Sequence, residues 1–275
     1  MKIGLIGCGK VGITLFYLLK KDNQIIGVYD INKNREKKAR RLLKIKENPS
    51  LKDLCKKPEA IFFATPDDQI LKAYKKVRSF IKGKKYVFHF SGLLTAAIFP
   101  KSKNIYRGSI HPFATFPQVI IPPKQKKYFL FVEGDLAAKK AVGLIFKRRY
   151  FIIKTINKRQ KINNHLLGVF ASNFLVSLVS AIYKLVKKMN WREKDLHEIV
   201  FPIIDETLNN IKKYKIKNAL SGPLERGDIE IIKRHLMVLK KDKVLLNTYK
   251  TLSLNIIKNV LKGKRRTNIE KLLTK

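Results

Sequence analysis

The sequence is poor in acidic residues, in cysteine and in clustered histidine. Only 20 of its 275 residues are Asp or Glu, against 60 Lys or Arg, which gives a formal net charge of +40. The two cysteines, Cys8 and Cys55, exclude a disulfide framework and a cysteine zinc site. The 5 histidines include no pair at H-x-x-x-H spacing, so we expect no bound metal.

The excess of positive charge has two interpretations. A nucleic-acid binder concentrates its basic residues in a patch or stripe, whereas lysine occurs here in every segment. Net charge otherwise affects solubility and nonspecific binding rather than the fold. We therefore favour a solvated cationic surface that attracts small anionic substrates, and we expect no nucleic-acid partner.

Two apolar stretches resemble membrane signals. The sequence "LIGC" at 5–8 is similar to a lipoprotein cleavage box, but too few residues precede it for a signal peptide, so we expect a cytoplasmic protein. The uncharged run at 166–183 is nearly long enough to span a bilayer. Because it contains several polar residues, which are costly in lipid, we expect no membrane partner and predict a buried central helix.

Short apolar runs alternate with helical patterns over residues 1–155. The runs at 2–6, 24–30, 60–65 and 86–92 are continuous and rich in β-branched and aromatic residues, as is typical of buried parallel strands. Helix-length segments lie between them, at 11–21 and 68–80 for example, and further strands are predicted at 105–110, 129–133 and 151–154. The alternation predicts an α/β fold with a doubly wound sheet.

The strand pattern stops at about residue 155, and helical periodicity continues to the end of the chain. We therefore predict an α/β domain at 1–155 followed by an all-α domain at 156–275.

The sequence "GCGKVG" lies between the first predicted strand and the first predicted helix. In that context the spacing indicates a dinucleotide site, in which Gly7 makes the tight turn, Gly9 admits the pyrophosphate and Gly12 lets helix and strand pack closely. The helix N-terminus at Lys10 and Val11 would then bind the pyrophosphate. A glycine-rich turn without a ligand is the alternative interpretation.

The choice between NADP and NAD depends on the end of the second strand. Asp30 would bind ribose hydroxyls and favour NAD, whereas Lys33 and Arg35 could hold the 2′-phosphate of NADP. The segment Thr65, Pro66 and Asp67 follows another strand, so we place it near the nicotinamide; its alternative role is a plain strand-to-helix turn with an aspartate cap.

Candidate catalytic residues lie at two further strand ends and on the first helix of the second domain. "HFSG" supplies His89, Ser91 and Gly92, and "SIHPFATF" supplies His111; either histidine could donate a proton. "KINNH" places Lys161 and His165 on one helix face, where a cation could polarise a carbonyl. These residues could equally have structural roles, and Lys161 could be a surface lysine.

Two more polar residues are candidates for substrate binding. Asn173 is an amide within the apolar run, so it must find partners. Arg226, in "SGPLERGD", could bind a substrate carboxylate, although the same segment also has the composition of a helix–helix connection capped by Asp228.

Taken together, these motifs resemble a bacterial family that joins a Rossmann-like NADP-binding domain to a helical domain labelled DUF2520. The motifs that carry the resemblance, in order, are the glycine turn, "TPDD", "HFSG", "HPFATF", "VEGD", "ASNFLVSL" and "SGPLERGD". The layout is more distantly similar to the 6-phosphogluconate dehydrogenase, pyrroline-5-carboxylate reductase and ketopantoate reductase superfamily. In its 3-hydroxyacid dehydrogenases a Lys followed by an Asn assists hydride transfer, and Lys161 and Asn164 resemble that pair.

The resemblance implies NADP as cofactor, a homodimer formed through the helical domain and a reductase activity. Because Asp30 is compatible with NAD, NAD remains an alternative cofactor. We expect hydride transfer to a small anionic 2-oxo acid, with ketopantoate as the first candidate and pyrroline-carboxylate or hydroxyacid substrates as alternatives. A non-catalytic dinucleotide sensor is the rival interpretation.

Overall fold

The structure, a computed structural model, describes residues 1–119, 127–261 and 265–274. Contacts divide the chain into two compact units, Met1–Phe174 and Leu175–Lys275. The first unit contains a seven-stranded sheet, and the described residues of the second unit form helices and connecting turns. The predicted fold class, a doubly wound α/β sheet followed by a helical region, is therefore confirmed.

The first unit alternates strands and helices as predicted. Its strands are β1 Lys2–Ile6, β2 Gln24–Tyr29, β3 Ala60–Phe63, β4 Lys85–His89, β5 Ile105–Pro112, β6 Tyr128–Gly134 and β7 Phe151–Thr155. Its helices are α1 Lys10–Leu19, α2 Lys33–Leu43, α3 Leu51–Lys56, α4 Asp67–Val77, α5 Leu136–Ile145 and α6 Lys158–Gly168. The contact boundary between the units follows α6, whereas the predicted domain boundary at 155 precedes it; the division into 1–155 and 156–275 stays a prediction.

The strand order is β2-β1-β3-β4-β5-β6-β7. The chain leaves β1 toward β2 and then returns to the other side of β1 for β3, so the strand order reverses between β1 and β3. Open α/β sheets bind ligands in the crevice at the carboxyl ends of strands at such a switch point. This topology directs attention to the loops that follow β1 and β3.

The sheet departs from the predicted parallel arrangement at β6, which pairs antiparallel with β5. Parallel strands need a crossover connection, usually through a helix, whereas antiparallel strands do not. The described residues between β5 and β6 contain no helix. The remaining neighbours are parallel, including β6 with β7.

Aromatic packing under the sheet holds this unit together. Phe62 on β3 is fully buried, and its ring packs against Phe16, Phe88, Phe90 and Phe146 at centroid distances of 5.0–6.0 Å. Buried aromatic pairs add about 0.5–1.5 kcal/mol each beyond the free energy of area burial. The cluster therefore fixes β3, and with it the loop at the switch point.

The second unit is built from helices around a small apolar core. They are α7 Phe174–Lys188, α8 Glu193–Asp195, α9 Phe201–Asn218, α10 Pro223–Arg226, α11 Ile229–Leu239, α12 Lys243–Asn259 and α13 Arg265–Thr274, and α7 begins at the last residue of the first unit. Ile232, Ile257 and Leu273 form the centre of the core. Asp242 caps α12 and pairs with Lys184, and these contacts lower the pKa of its carboxyl to about 2.

The long apolar helix is not buried, which corrects the prediction for 166–183. It runs over Lys158–Lys188 and, by length and composition alone, could cross a membrane, yet none of its most apolar stretch is covered within this chain. Phe170 is 63% exposed and Val176 is 70% exposed. The sequence shows that the helix is apolar. It does not show which surface covers the apolar side chains, because that depends on how other elements pack.

Two glycines offer a matched test of the turn after β1. Gly7 has a φ of +95°, and an added Cβ would meet the backbone of Ala64. Gly83 has a φ of +70° with nothing within 4 Å of an added Cβ. Left-handed strain alone costs about 1–2 kcal/mol, so we expect Gly83→Ala to lower the free energy of unfolding by about that amount.

For Gly7→Ala we expect a loss larger by about 1–3 kcal/mol, because steric conflict is added to the same strain. Urea unfolding followed by circular dichroism measures both variants. Equal losses for the two variants would show that the turn after β1 is not sterically constrained.

Candidate functional site

The glycine turn after β1 lies against the end of β3. The amide of Gly7 donates to the Tyr29 carbonyl oxygen over 2.8 Å, at the positive φ noted above. An added Cβ on Gly12 would lie 2.6 Å from Ala64 Cβ. Gly7 therefore makes the tight turn, and Gly12 the close helix–strand contact, that the motif predicts.

Helix α1 begins without a side-chain cap. Gly9 is the N-cap residue, and the first turn contains no acidic residue. The free amides and the positive end of the helix dipole favour an anion at this point. Gly9, Lys10 and Val11 line the adjacent cavity.

Asp30 at the end of β2 supports the glycine turn from inside. Its Oδ2 accepts a hydrogen bond from the Cys8 amide over 2.6 Å, and its Oδ1 accepts one from the Asn32 amide over 2.8 Å. The residue is buried but contributes to the cavity lining. Asp30 therefore has a structural role, whether or not it also contacts a ribose.

The two predicted phosphate-binding cations on α2 differ in position. Arg35 lines the cavity. Lys33 does not, and its Nζ forms an ion pair with Glu36 Oε2 at 3.1 Å. Arg35 is therefore better placed than Lys33 to meet a ligand of this cavity.

A cavity of about 790 Å³ runs from the glycine turn to two histidines. Gly7 and Gly9 line one end, whereas Gly92, His111 and His165 line the other. Predicted residues from the loop after β3 line it as well: Thr65, Pro66 and Asp67. Thr65 Oγ1 is buried without a hydrogen-bond partner among the described residues, so a ligand could supply the missing partner.

A second cavity, of about 380 Å³, shares His111, Ala114 and His165 with the first. Asn173 lines it, at the end of the π-helical segment Val169–Asn173 that continues α6. Single π-helical turns occur frequently at functional sites. The two histidines thus lie where the two cavities meet.

Lys161 lies beneath the site rather than in the lining of either cavity. It is 1% exposed, and its Nζ donates to the Ser91 carbonyl oxygen over 2.9 Å and to the Ser109 hydroxyl over 2.6 Å. Burial lowers the pKa of Lys161 to about 8, and the negative charges of Glu133 and Asp67 oppose that decrease. The ammonium therefore ties α6 to the loop after β4 and to strand β5.

The loop after β4 is held by Ser91 and His89. Ser91 Oγ donates to Asp67 Oδ2 over 2.6 Å, and the Ser91 amide donates to His89 Nδ1 over 3.2 Å. His89 Nε2 lies 3.2 Å from the Thr95 carbonyl oxygen, to which it can donate. Burial lowers the pKa of His89 to about 3, so His89 is a neutral structural bridge.

His111 and His165 face each other across the loop at Gly92. Their ring centroids are 6.0 Å apart, and Asn164 Nδ2 lies 2.9 Å from His111 Nδ1. An added Cβ on Gly92 would overlap His165 and lie 3.0 Å from His111 Nε2, so a side chain here would displace the pair. Burial lowers the pKa of His111 to about 4, with help from the charges of Lys161 and His165.

Arg226 belongs to the second unit, where its Nε lies 2.9 Å from Asp228 Oδ2. Its predicted contact with substrate stays a prediction. Within the described part of the chain, no group of three or more potential metal ligands comes together.

Two residues beside the predicted ones were not among the site residues proposed from sequence. The sequence indicates Asn164 only through a family motif, and it predicts no role for Ser109. Asn164 follows Lys161 by three positions and therefore shares its helix face. Ser109 precedes His111 by two and therefore shares its strand face. The sequence therefore shows that each pair shares a face, but it does not show which side chains they hydrogen-bond.

Two family models match parts of this sequence. Residues 1–89 match an oxidoreductase family with an NAD-binding Rossmann fold, and residues 128–256 match a domain of unknown function, DUF2520. These matches confirm both parts of the expected combination, and the wider superfamily stays a prediction. None of the curated proteins compared with the chain matches it.

Solved structures share the fold. A protein of Bacteroides fragilis assigned as an NADP oxidoreductase has a TM-score of 0.74 at 22% identity, over 93% of this chain and 97% of that one. A semialdehyde dehydrogenase NAD-binding protein from Cupriavidus necator, in complex with calcium and NAD, has a TM-score of 0.63 at 18% identity, over 89% and 94% of the two chains. An NADH-preferring ketol-acid reductoisomerase from an uncultured archean has a TM-score of 0.64 at 15% identity, over 94% and 83%. These likenesses show that the chain shares the fold of these proteins.

The buried His89 and the partly buried His111 predict an acid-sensitive fold. His89 and His111 have folded-state pKa values of about 3 and about 4, below the ordinary 6.5. Between pH 6.5 and 4 these histidines bind protons in the unfolded chain but not in the folded chain. The free energy of unfolding therefore decreases as the pH falls. Each histidine contributes at most about 1.4 kcal/mol per pH unit.

Urea unfolding at pH 7, 6 and 5 measures this slope. His111→Gln should flatten it, whereas His235→Gln, at an exposed position of the second unit, should leave it unchanged. An unchanged slope in His111→Gln would mean that His111 titrates normally in the folded protein.

Proposed function

We propose that this chain is a cytoplasmic NAD(P)H-dependent reductase that acts on a carbonyl or imine group of a small acid. The observation that carries the proposal is the meeting of the two cavities at His111 and His165. In this arrangement the larger cavity takes the dinucleotide and the smaller one takes the substrate.

The residues present fit a nicotinamide dinucleotide. The uncapped amides at the start of α1 would hold the pyrophosphate, Arg35 or Asp30 would contact the adenosine ribose, and Thr65 Oγ1 has an unfilled hydrogen bond. When bound, the cofactor supplies hydride. We put NADP first because Arg35 lines the cavity, and NAD second because of Asp30.

The chain's own residues would orient the substrate and provide the proton. His111, His165 and Asn173 line the smaller cavity and can hydrogen-bond a polar group there. Lys161 does not line it, so we assign the proton donor to a histidine and give Lys161 the role of holding Ser91 and Ser109 in place. Ser91 and Gly92 line the larger cavity.

The finer assignment concerns the substrate itself. A cavity of about 380 Å³ suits a small molecule, and the strongly positive net charge favours an anion. We propose ketopantoate first, on the family resemblance, with pyrroline-carboxylate or hydroxyacid substrates next. Arg226 is the proposed carboxylate ligand from the second unit.

Binding of NADPH and NADH, measured by calorimetry, tests the cofactor site. We expect the wild type to bind one of them and Gly9→Val to bind it at least about tenfold more weakly, because the side chain obstructs the approach to the α1 amides. At Gly9 an added Cβ makes only an ordinary contact, so the fold should survive. Gly143→Val, on α5 with open space around it, is the control.

A panel of 2-oxo acids with NADPH absorbance as readout tests the reaction in the same preparation. Turnover that falls in Lys161→Ala and Asn173→Ala supports the site, whereas turnover unchanged in both variants refutes it. Binding without turnover on any acid would favour a dinucleotide sensor, and no binding of either nucleotide would refute the proposal.

We also propose a homodimer that covers the exposed apolar face of the long helix. Such a face on two identical chains can pair with itself around a two-fold axis. Light scattering after gel filtration should give twice the monomer mass for the wild type and a monomer for Val176→Glu. Leu144→Glu, at an exposed position of α5, is the control. A wild-type monomer that floats with lipid vesicles would favour a membrane partner instead.

A further inference from the structure

Asn164 and Lys161 project from one face of α6, but they hold different parts of the site. Both are buried, with Asn164 8% exposed. Lys161 binds the loop after β4 and strand β5, whereas the amide nitrogen of Asn164 lies 2.9 Å from His111 Nδ1. Asn164 is thus the hydrogen-bond partner of a cavity-lining histidine.

This hydrogen bond determines where His111 carries its proton. An amide nitrogen has only hydrogens to offer, so the ring nitrogen opposite it must accept. In a neutral imidazole one nitrogen accepts and the other donates. With Nδ1 accepting, the proton of His111 is on Nε2.

The Nε2 atom of His111 faces the loop at Gly92. It lies 3.0 Å from the position of an added Cβ on Gly92, a residue that lines the larger cavity. The ring packs edge-on against Phe113 at a centroid distance of 6.2 Å. The ring is therefore held between Asn164 and Phe113 with Nε2 on the side of Gly92.

The surroundings also keep His111 uncharged. The charged or titratable groups that act on it are Lys161 and His165, and both disfavour a second proton. Lys161 is in turn faced by Glu133 and Asp67. A neutral ring that lost its Nε2 proton would become an imidazolate, so His111 can donate a hydrogen bond but is a poor source of a proton.

We propose that Asn164 is a positioning residue that holds His111 as the Nε2–H tautomer, so that His111 polarises the substrate's carbonyl or imine while His165 delivers the proton. Reduction of a carbonyl to an alcohol requires a hydride at carbon, which the bound cofactor would supply, and one proton at oxygen, which His165 would give. This inference rests on the proposed function, but the state of His111 can be measured without turnover.

Nuclear magnetic resonance of protein labelled with ¹⁵N-histidine tests the tautomer, with His111 assigned from the spectrum of His111→Gln. We expect wild-type His111 to be the Nε2–H form and not to titrate between pH 5 and 8. In Asn164→Asp a carboxylate faces Nδ1, so we expect a proton on Nδ1 and a titration midpoint raised by at least one pH unit. Asn163→Asp, at the exposed neighbouring position, should match the wild type.

The same variants separate this inference from the proposed function. With an active substrate, Asn164→Asp should lower kcat about 100-fold and shift the pH profile while NADPH affinity is unchanged. Asn164→Ala removes the donor without adding charge and should yield a mixture of tautomers, which keeps the test open if the aspartate variant is unstable.

A wild-type His111 that carries its proton on Nδ1, or that titrates near pH 6.5, would overturn the inference even if the protein is a reductase. Failure to bind or oxidise NADPH, with His111 in the Nε2–H form, would instead refute the proposed function and leave the tautomer assignment standing.

Discussion

The candidate site depends on the buried ammonium group of Lys161. Its hydrogen bonds to the Ser91 carbonyl and the Ser109 hydroxyl join α6 to the loop after β4 and to the neighbouring strand β5. Unpaired, each of these buried polar groups would cost about 1–3 kcal/mol. Because Asn164 and His165 follow on the same helix, the position of Lys161 also sets how both of them meet His111. A lysine that resembles a catalytic residue in sequence therefore acts here as the support for others.

Burial explains the protonation states in this region. His89 and His111 remain neutral because an imidazolium would have to lose water and lie near another cation. Lys161 keeps its charge more easily than these histidines do, since Glu133 and Asp67 face it. The result is a neutral His111 at the cavity junction and a positive charge on the buried Lys161.

The exposed helix raises a separate physical question. Large apolar surface in water is unfavourable by about 25 cal/mol per Å², and Phe170 and Val176 leave most of their area uncovered. The same helix begins with Lys161 and Asn164, so whatever covers its apolar face acts on an element that also supports the site.

The sequence by itself determined the architecture of the first unit, because strand runs, helix periodicity and the glycine turn depend on local patterns. The positions of Gly7 and Gly12, the residues of all seven strands to within a few positions and the helical character of the second unit follow from such patterns. Side-chain partners follow from how distant strands and helices meet in space. Only the tertiary structure therefore decided that β6 runs antiparallel, that Asp30 supports the glycine turn, that Lys161 is covered and that Asn164 reaches His111. It also decided that the apolar helix is exposed, because covering a surface requires a second surface whose position no local pattern encodes.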